Sequence, residues 1–319
     1  MDLVSEKIRQ MYSLYPYPLP HAGGTVLPEL LNLLNMFCLE AEFSLAGGSV
    51  LDAGTGTGHR LVEAAAAYPD CRFLGVDLNE VSLSIARGNV KDRRTSNVEL
   101  RRCDLVEGTS SLGSFDLVLS MGVVHHLSDP ARGLKNLVGN LKDDGVLFLY
   151  VYGKAGARER MRRKQLISLL VGEPQDFELG IRLVKELGFD SFEYGWNIEV
   201  RDQSSLDSLI VDAYLNANEH LYEFDDLVDL LRPSGLIGFV VYGLTMGTQG
   251  MLPDIDLPPP VLLKTELARA RYSQLSLRDK YRLADLAYLP NGYTIMGCKQ
   301  DALARFDQGG RLQRNFVRF

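Results

Sequence analysis

The chain has few cysteines and no excess of basic charge. The four cysteines among its 319 residues, Cys38, Cys71, Cys103 and Cys298, lie far apart and form no C-x-x-C pair. That spacing argues against a zinc site and against a disulfide framework, so no metal is expected, and reduced thiols fit a cytoplasmic protein. Lysine and arginine total 34 against 41 aspartates and glutamates, a formal net charge of −7. A phosphate backbone would be repelled unless basic residues gathered on one face, which disfavours nucleic acid as a partner. No apolar run approaches the roughly 18 residues of a membrane span, and Met1–Lys7 lacks a basic stretch leading into an apolar one. Neither a membrane span nor a secretion signal is expected. Hydrophobic residues (46%) and charged residues (24%) are the proportions of an ordinary globular protein.

What is present falls into four stretches. Residues 1–48 read as a helical arm. Val4, Ile8, Met11 and Tyr15 recur at helical spacing, Pro16, Pro18 and Pro20 then impose an extended segment, and a largely apolar helix is predicted over Leu27–Phe43. Residues 49–153 alternate short apolar runs (Val50–Ala53, Arg72–Val76, Val98–Cys103, Phe115–Ser120, Val146–Val151) with helical stretches at 59–67, 80–90 and 131–141. This alternation predicts a doubly wound α/β sheet, mostly parallel. Residues 154–223 read as a helical cap inserted after the fifth strand. Residues 224–319 return a helix at Asp225–Leu231 and strands at Leu236–Val241 and Tyr293–Cys298, separated by a second excursion that contains Pro258–Pro260.

The chemistry concentrates where the predicted strands end. The first runs into Asp52-Ala53-Gly54-Thr55-Gly56-Thr57-Gly58 and then a helix, which places glycines where the chain turns sharply and a ligand must approach the backbone. The second ends in Gly75-Val76-Asp77, followed by Leu78. Its carboxylate is positioned to accept from ribose hydroxyls. The third ends in Cys103-Asp104-Leu105, a polar group and an apolar neighbour suited to an adenine amino group and ring.

These residues resemble the class I S-adenosylmethionine-dependent methyltransferases, over roughly residues 49–152. The family's acid followed by G-x-G-x-G corresponds to Asp52–Gly58, its ribose-binding acid to Asp77 and its adenine-side acid to Asp104. Its fourth motif is similar to Ser114–Pro130. The resemblance implies a seven-stranded, Rossmann-like sheet with the last strand antiparallel, and S-adenosylmethionine as the cofactor. It also implies that the Asp52 and Gly54 region meets the amino-acid part of the cofactor, with Ser120 and Met121 alongside the methionine moiety. Nicotinamide-dependent dehydrogenases share the ligand geometry and form the alternative, although their usual G-x-G-x-x-G spacing differs.

Methyl transfer is an in-line displacement from a sulfonium, so alignment in a water-poor pocket is the first requirement. A base is needed only when the nucleophile arrives protonated. His126 and His125 are then the candidates, because imidazole titrates near neutral pH, though both could instead cap the next helix or touch the cofactor. On the acceptor side, Tyr12, Tyr15 and Tyr17 could close the arm over the site or simply pack it down. The basic run Arg158–Lys164, Arg162 included, could orient an anionic acceptor or form a solvated helix face. Asn218, Glu219, His220 and Tyr222 could add polar contacts. The expected substrate is a small molecule, with a protein or RNA as the alternative, and the cap could also serve as a homodimer surface.

Overall fold

The computed structural model describes residues 2–18, 26–173, 175–190, 203–246, 250–252, 263–307 and 310–319. Residues 19–25 of the arm, Pro20 included, and the proline run at 258–260 lie outside the described residues.

Five strands build the parallel part of the sheet: β1 (Ser49–Ala53), β2 (Arg72–Asp77), β3 (Val98–Arg102), β4 (Phe115–Met121) and β5 (Leu141–Tyr152). The order is β3-β2-β1-β4-β5, so the direction of winding reverses between β1 and β4. The crevice at such a reversal, beyond the carboxyl ends of the strands, is where doubly wound folds bind ligands. The helices α1 (Leu3–Leu14), α2 (Val26–Glu40), α3 (His59–Ala67), α4 (Glu80–Arg93) and α5 (Pro130–Gly139) precede, connect or flank these strands. Asn79 starts α4 by accepting from the Val81 and Ser82 amides, and Asp129 starts α5 by accepting from that of Arg132.

Two strands complete the seven-stranded core. They are β6 (Gly238–Met246) and β8 (Gly292–Cys298), with β8 inserted antiparallel between β5 and β6. The sheet also carries two short strands beyond the expected seven: β7 (Gly250–Leu252) and β9 (Val317–Arg318) both pair with β6. Side chains alternate across the central strands. Leu51 and Ala53 join Leu134 and Leu137 of α5 on one face, whereas Val50 joins Phe37 of α2 and Leu61 of α3 on the other.

The insertion after β5 contains α6 (Arg158–Val171), α7 (Phe177–Glu186) and α8 (Gln203–Ile210), the last continuing into a single π-helical turn, Val211–Leu215. Ile167, Ile181, Ile210 and Tyr214 from this cap bury Met11 of the arm among them, so arm and cap share a third apolar core. Then come α9 (Phe224–Leu231) ahead of β6, and α10 (Glu266–Ser273) and α11 (Leu277–Tyr288) ahead of β8. Among the described residues no helix is long and apolar enough to cross a membrane.

Candidate active site

The glycine loop folds back over β2. The amides of Gly54 and Thr55 both donate to the Val76 carbonyl, at 2.8 and 2.9 Å, and the Gly56 amide donates to Asp77 Oδ2 at 2.8 Å. Gly54 has φ +78°, and a Cβ there would lie 2.3 Å from Val123 Cγ2, so the position excludes a side chain. A Cβ on Gly56 would meet the Tyr17 carbonyl at 2.9 Å, because the arm crosses directly above the loop. The Thr57 hydroxyl ties that crossing by donating to the Pro18 carbonyl. Asn79 adds a second tie, donating to the Arg9 carbonyl at 3.0 Å and to Ser13 Oγ at 3.1 Å.

Under this roof lies a cavity of about 770 Å³, with Gly54, Gly56, Asp77, Leu78, Asp104 and Leu105 at one end. Asp77 Oδ1 accepts from the Asn79 amide at 2.8 Å, leaving each carboxylate oxygen with further accepting capacity. Burial raises the Asp77 carboxyl above its ordinary value despite those amide bonds. Asp104 Oδ1 takes the Val106 amide at 2.9 Å, while Oδ2 is buried without a partner. Met121 lines the cavity, and its carbonyl receives Arg60 Nη2 at 2.9 Å, which holds that guanidinium at the wall.

The other end draws on segments far apart in sequence: Tyr12 and Tyr17 from the arm, His126 from the turn after β4, Tyr152 from β5, Arg160 from α6 and Asp212 from the π-helical turn. The Tyr12 hydroxyl donates to Asp212 Oδ1 at 2.6 Å, clasping arm to cap. Arg160 bonds Glu219 at 2.9 and 2.7 Å, and Lys164 reaches the same carboxylate at 3.3 Å.

Several residues singled out from sequence lie elsewhere. Asp52 is 2% exposed beneath the loop, where it accepts from the Thr55 hydroxyl at 2.7 Å, so this pair shapes the turn and does not line the cavity. Burial raises the Asp52 carboxyl, against the pull of Arg60. Gly58 starts α3 at φ +78° against Ala86, and Ser120 is fully buried with its hydroxyl toward the Ala53 carbonyl. The two histidines separate. His126 lines the cavity, whereas His125 is sealed beneath Tyr152, ring centroids 3.9 Å apart, with neither nitrogen bonded. Burial, then neighbouring His126, pushes the His125 imidazole well below its ordinary value and keeps it neutral.

Tyr15 packs against Phe177 of α7 at 5.6 Å between centroids, so it belongs to the arm–cap contact, while Tyr17 lines the cavity. Arg162 is a correction as well. Its guanidinium is 64% exposed and doubly bonded to Glu159 one turn away, whereas Arg158, Arg160 and Arg163 of the same helix line the cavity. Arg162→Gln is therefore expected to leave acceptor KM and the denaturation midpoint unchanged, as steady-state kinetics and urea unfolding would show. Tyr222 is buried in the main core. Sequence reading passed over Asp212, whose signal was an acid within the apolar run Leu209–Leu215, and Arg60, which follows the glycine loop.

A family model described as "Methyltransferase domain" matches residues 44–168. An uncharacterized protein of Synechococcus sp. is 27% identical over 307 residues, covering 89% of this chain and 69% of that one. A ubiquinone biosynthesis O-methyltransferase of Coxiella burnetii is 29% identical over 127 residues, covering 40% of this chain and 53% of that protein. Among solved structures, PKMT2 from Rickettsia typhi superposes with a TM-score of 0.59 at 18% identity, covering 92% of this chain and 52% of the other. The chain thus spans about half the length of the Coxiella and Rickettsia typhi proteins. The likeness to PKMT2 is one of fold. Residues 44–168 match a methyltransferase domain, a kind of enzyme whose methyl donor is S-adenosylmethionine, and the sheet has the Rossmann-like fold of the class I methyltransferases.

Proposed function

We propose that this protein transfers the sulfonium methyl of S-adenosylmethionine to a nucleophile of a small molecule, releasing S-adenosylhomocysteine. The observation that carries this reading is the cavity of about 770 Å³, roofed by the arm, which runs from Asp77 and Asp104 to Tyr152 and Asp212. Small-molecule sites occupy about 300–1,000 Å³, so there is room for the methyl donor and a compact acceptor together.

The residues at the glycine-loop end suit the donor. Asp77 would accept from the ribose hydroxyls, and the unpartnered Asp104 Oδ2 from the adenine amino group, with Leu78 and Leu105 beside the ring. The backbone at Gly54 and the Arg60 guanidinium would meet the amino-acid part, the guanidinium facing its carboxylate. When bound, the donor supplies an electrophilic methyl group. The chain positions it and excludes water.

A negatively charged substituent on the acceptor would meet Arg158, which lines the cavity without an ion-pair partner among the described residues. The test is incubation with methyl-labelled S-adenosylmethionine and a fractionated cell extract, followed by mass spectrometry. Label is expected in the small-metabolite fraction. Label found only in macromolecules, and released by protease or nuclease, would overturn the small-molecule acceptor.

A further inference from the structure

Resting on the methyl-transfer reading above, we infer that His126 is the general base for the acceptor. On this inference the Asn218 main chain holds it in one tautomer, and the acceptor presents a protonated hydroxyl on a flat, apolar frame.

The tautomer follows from its partner. His126 Nδ1 lies 2.9 Å from the Asn218 main-chain carbonyl oxygen, which can only accept. Nδ1 therefore carries the hydrogen, and the lone pair sits on Nε2. The side chain of the same asparagine fastens the arrangement in reverse, donating Nδ2 to the carbonyls of His126 at 3.1 Å and Leu127 at 2.8 Å. The turn that carries the imidazole and the segment that orients it are thus stapled together. His126 lines the cavity, and with Nδ1 held by Asn218 the ring nitrogen left for a ligand is Nε2.

Other groups at this end are poorly suited to take a proton. Burial raises the hydroxyls of Tyr12, Tyr150 and Tyr152, so they remain phenols. Hydrogen bonds from Arg162 and Arg163 hold Glu159 down at about 2. Asp212 is already engaged by the Tyr12 hydroxyl, which donates to its Oδ1 at 2.6 Å. The His125 and Tyr152 rings lie 4.2 and 5.8 Å from the imidazole between centroids, and the Glu219 carboxylate interacts with it, so the proton it gains is faced by Glu219.

The acceptor class follows from the same wall. A carboxylate nucleophile needs no base, and a thiol is partly ionised near neutrality, whereas a hydroxyl must lose its proton as it attacks. Tyr12, Tyr17, Tyr150, Tyr152 and Tyr214 line the cavity, an aromatic surround that suits a flat ring. As the acceptor O–H breaks, its proton passes to Nε2. The new O–C bond forms while the methyl carbon–sulfur bond breaks, and that electron pair stays on sulfur. The imidazolium keeps its Nδ1–H on the Asn218 carbonyl and then yields the Nε2 proton to solvent.

Nitrogen-15 NMR of histidine-labelled protein reads the tautomer without turnover, and diethyl pyrocarbonate reads access to Nε2. Protonated Nδ1 with a pyridine-like Nε2 on His126, and acylation of His126 but not His125, are expected. His126→Gln should bind S-adenosylhomocysteine as the native protein does and lose turnover about 100-fold on the acceptor identified by labelling. The opposite tautomer, an unreactive His126, or turnover retained within about threefold of the native value would overturn the base assignment. Native protein that failed to bind S-adenosylhomocysteine would instead undo the methyl-transfer reading.

Discussion

Replacing Asp77 with alanine is expected to weaken S-adenosylhomocysteine binding by at least about 100-fold, with the protein still folded. Hydrogen bonds to a charged acceptor contribute about 1.5–3 kcal/mol each, and two ribose hydroxyls would lose theirs together. The loop would also loosen, since the Gly56 and Asn79 amides both end on this carboxylate. Titration calorimetry gives the affinity, and a thermal melt of the free protein checks the fold. Asp77→Asn would be no conservative change, because the new side-chain nitrogen would face one of those two donor amides. Because burial raises the Asp77 carboxyl, the proposed ribose acceptor is protonated at milder acidity than an exposed aspartate would be. Affinity should therefore fall as pH drops toward that raised value.

The second large effect concerns stability. Glu219→Gln is expected to cost about 3 kcal/mol, because breaking a buried ion pair leaves its partners uncompensated. The Glu219 side chain is 1% exposed and serves both Arg160 (10%) and Lys164 (15%). Burial opposes ionisation of Glu219, but Lys164 and Arg160 outweigh it and hold the carboxyl below its usual 4.5. Lys164 is shifted downward, because burial outweighs its attraction to Glu219. Without the carboxylate Lys164 can shed its proton, which keeps the cost near the lower end of the range. Since the folded pKa of Glu219 is depressed, its contribution is present above the unfolded value and is lost as pH falls through the folded one. Urea unfolding should show native and variant proteins converging on acidification. A difference under about 0.5 kcal/mol at neutral pH would show that the triad carries no net stabilisation.

These two residues also mark where sequence reading succeeds and where it stops. Asp77 was legible because the parallel strands are buried on both faces and read as apolar runs. A carboxylate at the end of one, beside a glycine loop, occupies a position that topology alone defines. Glu219 could be named but not placed, since its partners lie two elements away in α6. The adjacent histidines show the same limit. The tight turn Val124–His126 rotates successive side chains apart, so one imidazole enters the core and the next faces the cavity, a distinction no spacing rule supplies.

Tyr15 and Tyr17 part in a similar way. α1 ends at Leu14, leaving Tyr15 against α7 while the extended chain carries Tyr17 over Gly56. At the sheet edges β7 and β9 are too short to carry an alternation, and β5 begins at Leu141 through Lys-Asp-Asp-Gly, a stretch that reads as a turn. Asp212 and Tyr152 line one cavity only when the cap docks, so their proximity belongs to the tertiary structure.

The most direct test of the methyl-transfer account is a crystal structure of the protein with S-adenosylhomocysteine. The account predicts one molecule per chain, its ribose hydroxyls on Asp77, its adenine amino group on Asp104 Oδ2 and its sulfur directed toward the end lined by Tyr152 and His126. A ligand bound away from Asp77, or a cavity that takes up a nicotinamide dinucleotide in its place, would contradict it.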